Sequence, residues 1–303
     1  MAAMALLVAA CGSDDETSGE SATTEAMDDD EAMEEVAHSA VSFEFTGLEP
    51  LGDNAVYEGW LIIDGAPVST GRFNLDDAGA MVYDGDPAPV ENAATATAVV
   101  LTIEPADDPD PAPSVTHVLA GDPDGTTAQL TIGHPAALGT DFADAAGIYV
   151  LATPTTSDTS DELSGVWFIG LEGGAASQGL DLPTLPDGWA YEGWTVIDGQ
   201  PLSTGRFTDP AGADDADTFS GPDGGPAFPG EDFVANAPDG LTFPVELFGS
   251  TVVISVEPEP DDGPTPFALK PLVHEVPAGI GDHEVQDMGA GPAAPSGVAT
   301  LQG

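Results

Sequence analysis

Short apolar runs alternate with clusters of Gly, Pro and Asp along most of the chain after residue 40. Such runs, rich in β-branched and aromatic residues, are typical of strands, and the clusters between them are typical of turns. In the first 171 residues the pattern predicts strands at 42–45, 56–63, 68–73, 98–104, 128–132, 148–152 and 166–169. In the second half it predicts strands at 180–185, 191–197, 200–207, 251–257 and 272–276. Helical periodicity is scarce, so the sequence predicts an all-β fold of antiparallel strands.

Two of the predicted strand pairs have nearly the same sequence. The segment from Tyr57 to Phe73 recurs 134 positions later, from Tyr191 to Phe207, with YEGW, IDG and STGRF in the same order. Further on, VVLTIEP at 99–105 recurs 153 positions later as VVISVEP at 252–258, and acidic, Pro-rich turns follow both. A repeat of this length predicts two copies of one structural unit.

The repeats and the composition divide the chain into five predicted segments. These are a leader at 1–11, a disordered acidic linker at 12–40, β-sandwich modules at 41–171 and 177–280, and a flexible tail at 281–303. About 130 residues are enough for the core of one sandwich. The extra residues of the second copy predict a surface loop at 209–232.

The charge balance narrows the classes of partner. The net charge is −51, with 54 acidic residues against 3 Lys and Arg. This excludes sequence-independent nucleic-acid binding and argues against docking on anionic lipid, since both need basic side chains. A surface this acidic repels itself, and salt screens that repulsion, so the composition favours a saline or marine habitat. Weak binding of a divalent cation is the alternative, and it stays open.

The N-terminus resembles a bacterial lipoprotein signal. An apolar run ends in Val8-Ala9-Ala10-Cys11, which is similar to a lipobox, and Cys11 is the only cysteine. No Lys or Arg precedes the run, which departs from a secretory signal. The resemblance implies a lipid on Cys11 and a place in the cell envelope, on the outer face of the cytoplasmic membrane or on the outer membrane. The alternative is an untranslocated chain with a free thiol. No later stretch has the 18 apolar residues that a membrane-spanning helix needs.

The repeated motifs together resemble the extracytoplasmic C-terminal domain of anti-sigma-K factors. That domain typically shows a Tyr-Glu-x-Trp strand, a Pro-Val-Ser-x-Gly-x-Phe strand and a later strand ending in Glu-Pro. Both copies contain this order. The resemblance implies an all-β, Ig-like sandwich outside the cytoplasm. The chain shows no sigma-binding helical domain and no His-x3-Cys-x2-Cys zinc motif, so the sigma-sequestering activity is not expected.

Arginine and tryptophan recur at equivalent positions. Arg72 and Arg206 are predicted to pair with strand carboxylates of their own copies, either Glu58 and Glu192 or Glu104 and Glu257. Recognition of an anion by the guanidinium groups is the alternative. Trp60 and Trp194 are predicted to lie in the core, with a carbohydrate-binding platform as the alternative.

The sequence does not show a catalytic or cofactor motif. The five histidines are scattered, the Ser-Thr-Gly-Arg segments are not nucleophile elbows, and no phosphate-binding glycine pattern is present. We therefore expect no catalytic residue, no metal ligand and no cofactor. The sequence predicts a lipid-anchored, non-enzymatic envelope protein that binds an unidentified protein or small molecule. A regulatory sensor linked to sigma-factor signalling, and an envelope hydrolase using surface carboxylates, stay as alternatives.

Overall fold

A computed structural model describes residues 41–85, 89–260 and 263–302. Cys11 and the predicted leader and linker at 1–40 lie outside the described residues. The described chain is almost entirely strand and turn. Its regular helical segments are two short 3-10 turns, Ala93–Thr95 and Glu172–Gly174. The predicted all-β, antiparallel fold is confirmed. No helix in this part of the chain is long and apolar enough to cross a membrane.

The largest sheet contains nine strands, mostly from the first repeat. They are β1 (Val41–Thr46), β2 (Ala55–Ile63), β3 (Ala66–Leu75), β4 (Met81–Tyr83), β5 (Ala98–Pro105), β6 (His117–Gly121), β7 (Pro123–Asp124), β8 (Thr127–Thr131) and β21 (Ser296–Leu301). Their order is β1-β21-β8-β6-β5-β2-β3-β4, with β7 paired to β8. Because β2 lies between β5 and β3, the repeated YEGW segment is on an interior strand of this sheet.

The remaining strands form three smaller sheets. They are β9 (Ala146–Leu151), β10 (Gly165–Trp167), β11 (Ile169–Gly170), β12 (Ser177–Gln178), β13 (Leu180–Asp181), β14 (Trp189–Ile197), β15 (Gln200–Phe207), β16 (Gly230–Asp232), β17 (Thr251–Pro258), β18 (Leu272–Glu275), β19 (Gln286–Asp287) and β20 (Gly289–Ala290). A five-stranded sheet carries the second repeat, in the order β15-β14-β17-β18-β20. A second five-stranded group has the order β13-β9-β10-β16, with β19 paired to β9, and β11 pairs with β12.

The repeated hairpins β2–β3 and β14–β15 have the same register. Asp64-Gly65 and Asp198-Gly199 form two-residue turns with φ between 50° and 81°, which is the geometry that an Asp-Gly hairpin turn favours. A bulge follows Gly59 in one hairpin and Gly193 in the other. A Cβ atom at either glycine would come within 2.4 Å of a threonine hydroxyl on the neighbouring strand. The glycine of YEGW is therefore required by close strand packing.

Strand pairing and core packing both cross the predicted boundary between the modules. β9 pairs with β13, and β10 pairs with β16, so strands of the two predicted modules share a sheet. Most of the buried apolar side chains of both repeats also form one continuous cluster. Strands of the two predicted modules therefore share a sheet and a core in one compact unit, while the two repeated hairpins lie in separate sheets. Whether each module can fold by itself stays a prediction.

Two segments differ from the expectation of loose or surface structure. The predicted flexible tail contains β21, which pairs with both β1 and β8. Its residues Gly297, Ala299 and Leu301 are buried and alternate with more exposed ones at 296, 298 and 300, which is the pattern of a half-buried strand. The prediction of a flexible tail was wrong because it was based on the Gly and Pro content of the segment and not on this alternation. Likewise the predicted loop at 209–232 ends in the buried strand β16.

Candidate functional site

Arg72 fixes the end of the Glu-Pro strand in the first repeat. It lies directly opposite Glu58 in the register of β2 and β3, with Arg72 Nε 3.8 Å from Glu58 Oε2. Its Nη2 donates to the carbonyl groups of Pro105 and Ala106. Burial raises the pKa of Glu58, as does the charge of Glu104, while the Ser69 hydroxyl and Arg72 act in the opposite direction. Arg72 thus joins the hairpin to the turn after β5.

Arg206 fixes the equivalent turn through different partners. Its cross-strand neighbour in the register is Glu192, whose carboxylate accepts a hydrogen bond from the Ser203 hydroxyl. The ion pairs of Arg206 are with Asp215, at 3.8 Å, and Glu259, at 2.9 Å. Glu259 is the position equivalent to Ala106, at the offset of 153. Both arginines therefore hold the turn after their Glu-Pro strand, and sequence reasoning named neither Asp215 nor Glu259.

Each of the two repeated tryptophans donates the first hydrogen bond in a series of side-chain hydrogen bonds, and the series is the same in both repeats. Trp60 Nε1 donates to Thr102 Oγ1 at 2.9 Å, and that hydroxyl donates to the carboxylate of Glu104. In the second repeat, Trp194 Nε1 donates to the Ser255 hydroxyl at 2.8 Å, and Ser255 donates to Glu257. Both indoles are buried, in agreement with the predicted core position.

In each repeat a backbone amide donates a further hydrogen bond to the glutamate at the end of this series. Glu104 accepts from Ser114 N at 2.9 Å and Glu257 accepts from Phe267 N at 2.9 Å. Both carboxylates are buried, and buried polar groups need such partners. The two glutamates therefore tie the Glu-Pro strand to the segment that begins the next one.

The two Glu-Pro strand ends meet at one cleft, which we call the Glu-Pro cleft. It consists of two adjoining cavities of about 360 and 270 Å³. The larger is lined by residues 49–55, 103, 257, 258, 260, 263–265 and 267. The smaller is lined by residues 54, 55, 103–105, 114–116 and 258–260. The cleft is therefore formed by both repeats, and the turns that the two arginines hold form part of its wall.

The lining combines proline and aliphatic side chains with carboxylates. Pro105, Pro258 and Pro260 come from the repeated turns, and Val115 is an exposed apolar residue on the wall of the smaller cavity. Burial raises the pKa of Glu49, which lines the larger cavity, although the nearby charge of Lys270 opposes the shift. No Lys, Arg or His lines the cleft within the described ranges.

A second cluster of carboxyl groups lies where β15 and β16 approach each other. Asp214 accepts from Gly230 N at 2.8 Å, and Glu231 accepts from the Ser220 hydroxyl. Burial raises the pKa of Asp214 and of Glu231 to about 7 each, and each carboxyl also lies near other acidic groups. Within the described ranges, no three His, Cys, Asp or Glu residues are placed to hold a metal ion. These two carboxyls are therefore groups that change charge near neutral pH.

The fold and the cleft define an all-β protein with a repeated hairpin-and-strand unit. Residues 1–126 match the family model described as the C-terminal domain of anti-sigma-K factor RskA. That range covers fewer than half of the 303 residues, and it includes the first copies of the YEGW, STGRF and Glu-Pro segments. The match supports the family resemblance over that range. No curated protein and no solved structure matches the chain.

Proposed function

We propose that this protein is a lipid-anchored, extracytoplasmic and non-enzymatic binding protein whose ligand site is the Glu-Pro cleft. The observation that carries the proposal is that the strand ends of both repeats, held by Arg72 and Arg206, line one cleft. Cavities of this size, mainly apolar with a few polar groups, are typical of small-molecule sites.

We further propose that the two repeats arose by duplication of one unit. The hairpins share their register and bulge, and the tryptophan–hydroxyl–glutamate chains occupy equivalent positions. A duplication of this kind would place equivalent strand ends next to each other, as they are in the cleft.

The anchor is tested by metabolic labelling with a palmitate analogue in a bacterial host that processes lipoproteins. We expect the full chain to be labelled and to sediment with membranes, and Cys11→Ser to lose both properties. Ser13→Ala is the matched control, since it changes a neighbouring residue outside the Val8–Cys11 lipobox. Equal lack of label in the wild type and in Cys11→Ser, with both in the cytosol, would contradict the proposed location.

The family match favours one second candidate, a sensor linked to sigma-factor signalling. Direct binding between the purified chain and a sigma factor encoded beside its gene distinguishes the two. We expect no saturable binding by interferometry at micromolar concentration. Saturable binding would make the protein a regulatory sensor and would contradict the proposal that it is a binding protein without a role in sigma-factor signalling.

The proposed saline setting follows from the net charge of −51. Salt shortens the Debye length from about 10 Å at 0.1 M to about 3 Å at 1 M, so it reduces repulsion between surface carboxylates. We expect the melting temperature to rise between these two concentrations of NaCl. An unchanged or lower value would argue against adaptation to salt.

A further inference from the structure

The two repeats differ at one pair of positions beside the cleft. In the second repeat Trp189 packs on Phe267, with ring centroids 6.1 Å apart, and both side chains are buried. In the first repeat the equivalent positions are Ala55, at the offset of 134, and Ser114, at the offset of 153. The register is the same in both, because Trp189 lies opposite Pro258 and Ala55 lies opposite Pro105.

The small side chains of the first repeat leave space where the second repeat has two rings. Ala55 and Ser114 both line the smaller cavity of the Glu-Pro cleft, which has a volume of about 270 Å³. Ser114 N and Phe267 N bind equivalent glutamates, so the backbone follows the same course at both positions. The second repeat therefore fills with its own aromatic side chains the place that the first repeat leaves open.

We propose that the Glu-Pro cleft binds a small aromatic cation, with its ring in the smaller cavity beside Ala55 and Ser114. This inference rests on the proposed function, in which the cleft is the ligand site, and it names the chemical class of the ligand. The ring takes the position that Trp189 and Phe267 occupy in the other repeat. Burial of an aromatic ring between proline and aliphatic side chains supplies the main favourable free energy.

The charge of the ligand follows from the larger cavity and from the whole surface. Glu49 and Asp53 line the larger cavity, which shares Asn54, Ala55 and Ile103 with the smaller one. A short chain on the ring can therefore carry an amine from the smaller cavity toward these carboxylates. A net charge of −51 attracts cations and repels anions of the same shape.

Calorimetry on the purified full chain tests both parts with three indoles of similar size. Tryptamine carries an amine, indole-3-ethanol is neutral, and indole-3-acetate is an anion. At about 0.1 M salt we expect tryptamine to bind at least ~10-fold more tightly than indole-3-acetate, with the alcohol between them. At 1 M salt the difference should narrow, because screening weakens the charge effect. Equal affinities at low salt, or no heat from tryptamine at millimolar concentration, would overturn the ligand class.

Variants that copy the second repeat test the position of the ring. Ala55→Trp introduces the residue found at position 189, and we expect tryptamine affinity to fall at least ~10-fold with no loss of melting temperature. Ser114→Phe copies Phe267 and provides a second test if Ala55→Trp does not fold. Val82→Ala, on an exposed position of β4 outside the cleft, is the matched control and should bind as the wild type does.

Unchanged affinity in both cleft variants would overturn the assignment of the ring position. The result of these binding experiments can be distinguished from the result of the lipid-labelling experiment. If Cys11 is lipidated and no indole binds, the ligand class is wrong while the proposed location stands. If tryptamine binds and Cys11 carries no lipid, the cleft assignment stands and the anchor is wrong.

Discussion

The two repeats keep the same hydrogen-bonded framework and differ in how they fill the space around it. In both, a buried tryptophan, a hydroxyl and a glutamate join the hairpin to the next strand. Beside that framework, one repeat has Trp189 and Phe267 while the other has Ala55 and Ser114. The comparison teaches that the polar network determines the course of the backbone. Apolar positions next to it can change from filled to open without altering the register.

The strongest test of the shared framework removes its glutamates. Glu104→Leu leaves the Thr102 hydroxyl and Ser114 N without their buried acceptor, and Glu257→Leu does the same to Ser255 and Phe267 N. We expect each change to lower the free energy of unfolding by about 3–5 kcal/mol, because buried donors are left unsatisfied. Urea denaturation at fixed salt measures it.

Glu91→Leu is the matched control, since Glu91 is exposed in the first repeat and should change stability by less than about 0.5 kcal/mol. A cost below about 1 kcal/mol in one repeat and the expected cost in the other would show that the two networks are not equivalent in energy. The shared backbone course would then need another cause.

A pH titration tests the second repeat's own acidic cluster. The pKa of Asp214 rises from 3.8 to about 7 and that of Glu231 from 4.5 to about 7, mainly through burial. Between about pH 4 and pH 7 the folded state therefore holds protons that the unfolded state has released, so stability falls as pH rises through this window. We expect a loss of about 2–4 kcal/mol in total, less than the full shifts imply, because Asp214 is partly exposed and the two carboxyls titrate together.

The double variant Asp214→Asn, Glu231→Gln isolates this effect from the general repulsion of a highly acidic surface. Urea denaturation at pH 5 and at pH 8 should show a smaller loss of stability for the variant than for the wild type. Equal losses would mean that these two carboxyls do not carry the pH dependence. Asp217→Asn, an exposed change nearby, should behave as the wild type.

Much of the framework could be predicted from the sequence because it depends on local pattern. Asp-Gly turns, β-branched runs and the repeated YEGW segment predicted the hairpins and their equivalence, and the structure has them in one register. The pairing of Arg72 with Glu58 also follows from that register, since the two residues lie directly opposite each other.

The rest depends on contacts between residues distant in the chain. Strand β21 completes the first sheet although some 170 residues separate it from its neighbour β8, and no local pattern specifies a partner at that distance. The cleft was missed for a similar reason. A signal for it was present in the sequence, since an alignment of the repeats places Ala55 opposite Trp189 and Ser114 opposite Phe267.

The smallest expected effects on stability come from replacing the two arginines, and we expect them to differ between the repeats. Arg72 is the less exposed, and it binds Glu58 and two backbone carbonyls. Arg206 binds Asp215 and Glu259, which are both well exposed. We expect Arg72→Met to lower the free energy of unfolding by about 1–2 kcal/mol and Arg206→Met by less than about 1 kcal/mol.

Salt should increase the difference between the stability costs of the two arginine substitutions. Surface ion pairs weaken as the Debye length shortens, so the cost of Arg206→Met should shrink between 0.1 M and 1 M NaCl. The cost of Arg72→Met should persist, because hydrogen bonds to the carbonyls of Pro105 and Ala106 do not depend on a second charge. Melting temperatures of both variants at the two salt concentrations decide the matter. Equal costs with equal salt dependence would mean that the repeats hold their turns by the same means, and that the different partners have no energetic consequence.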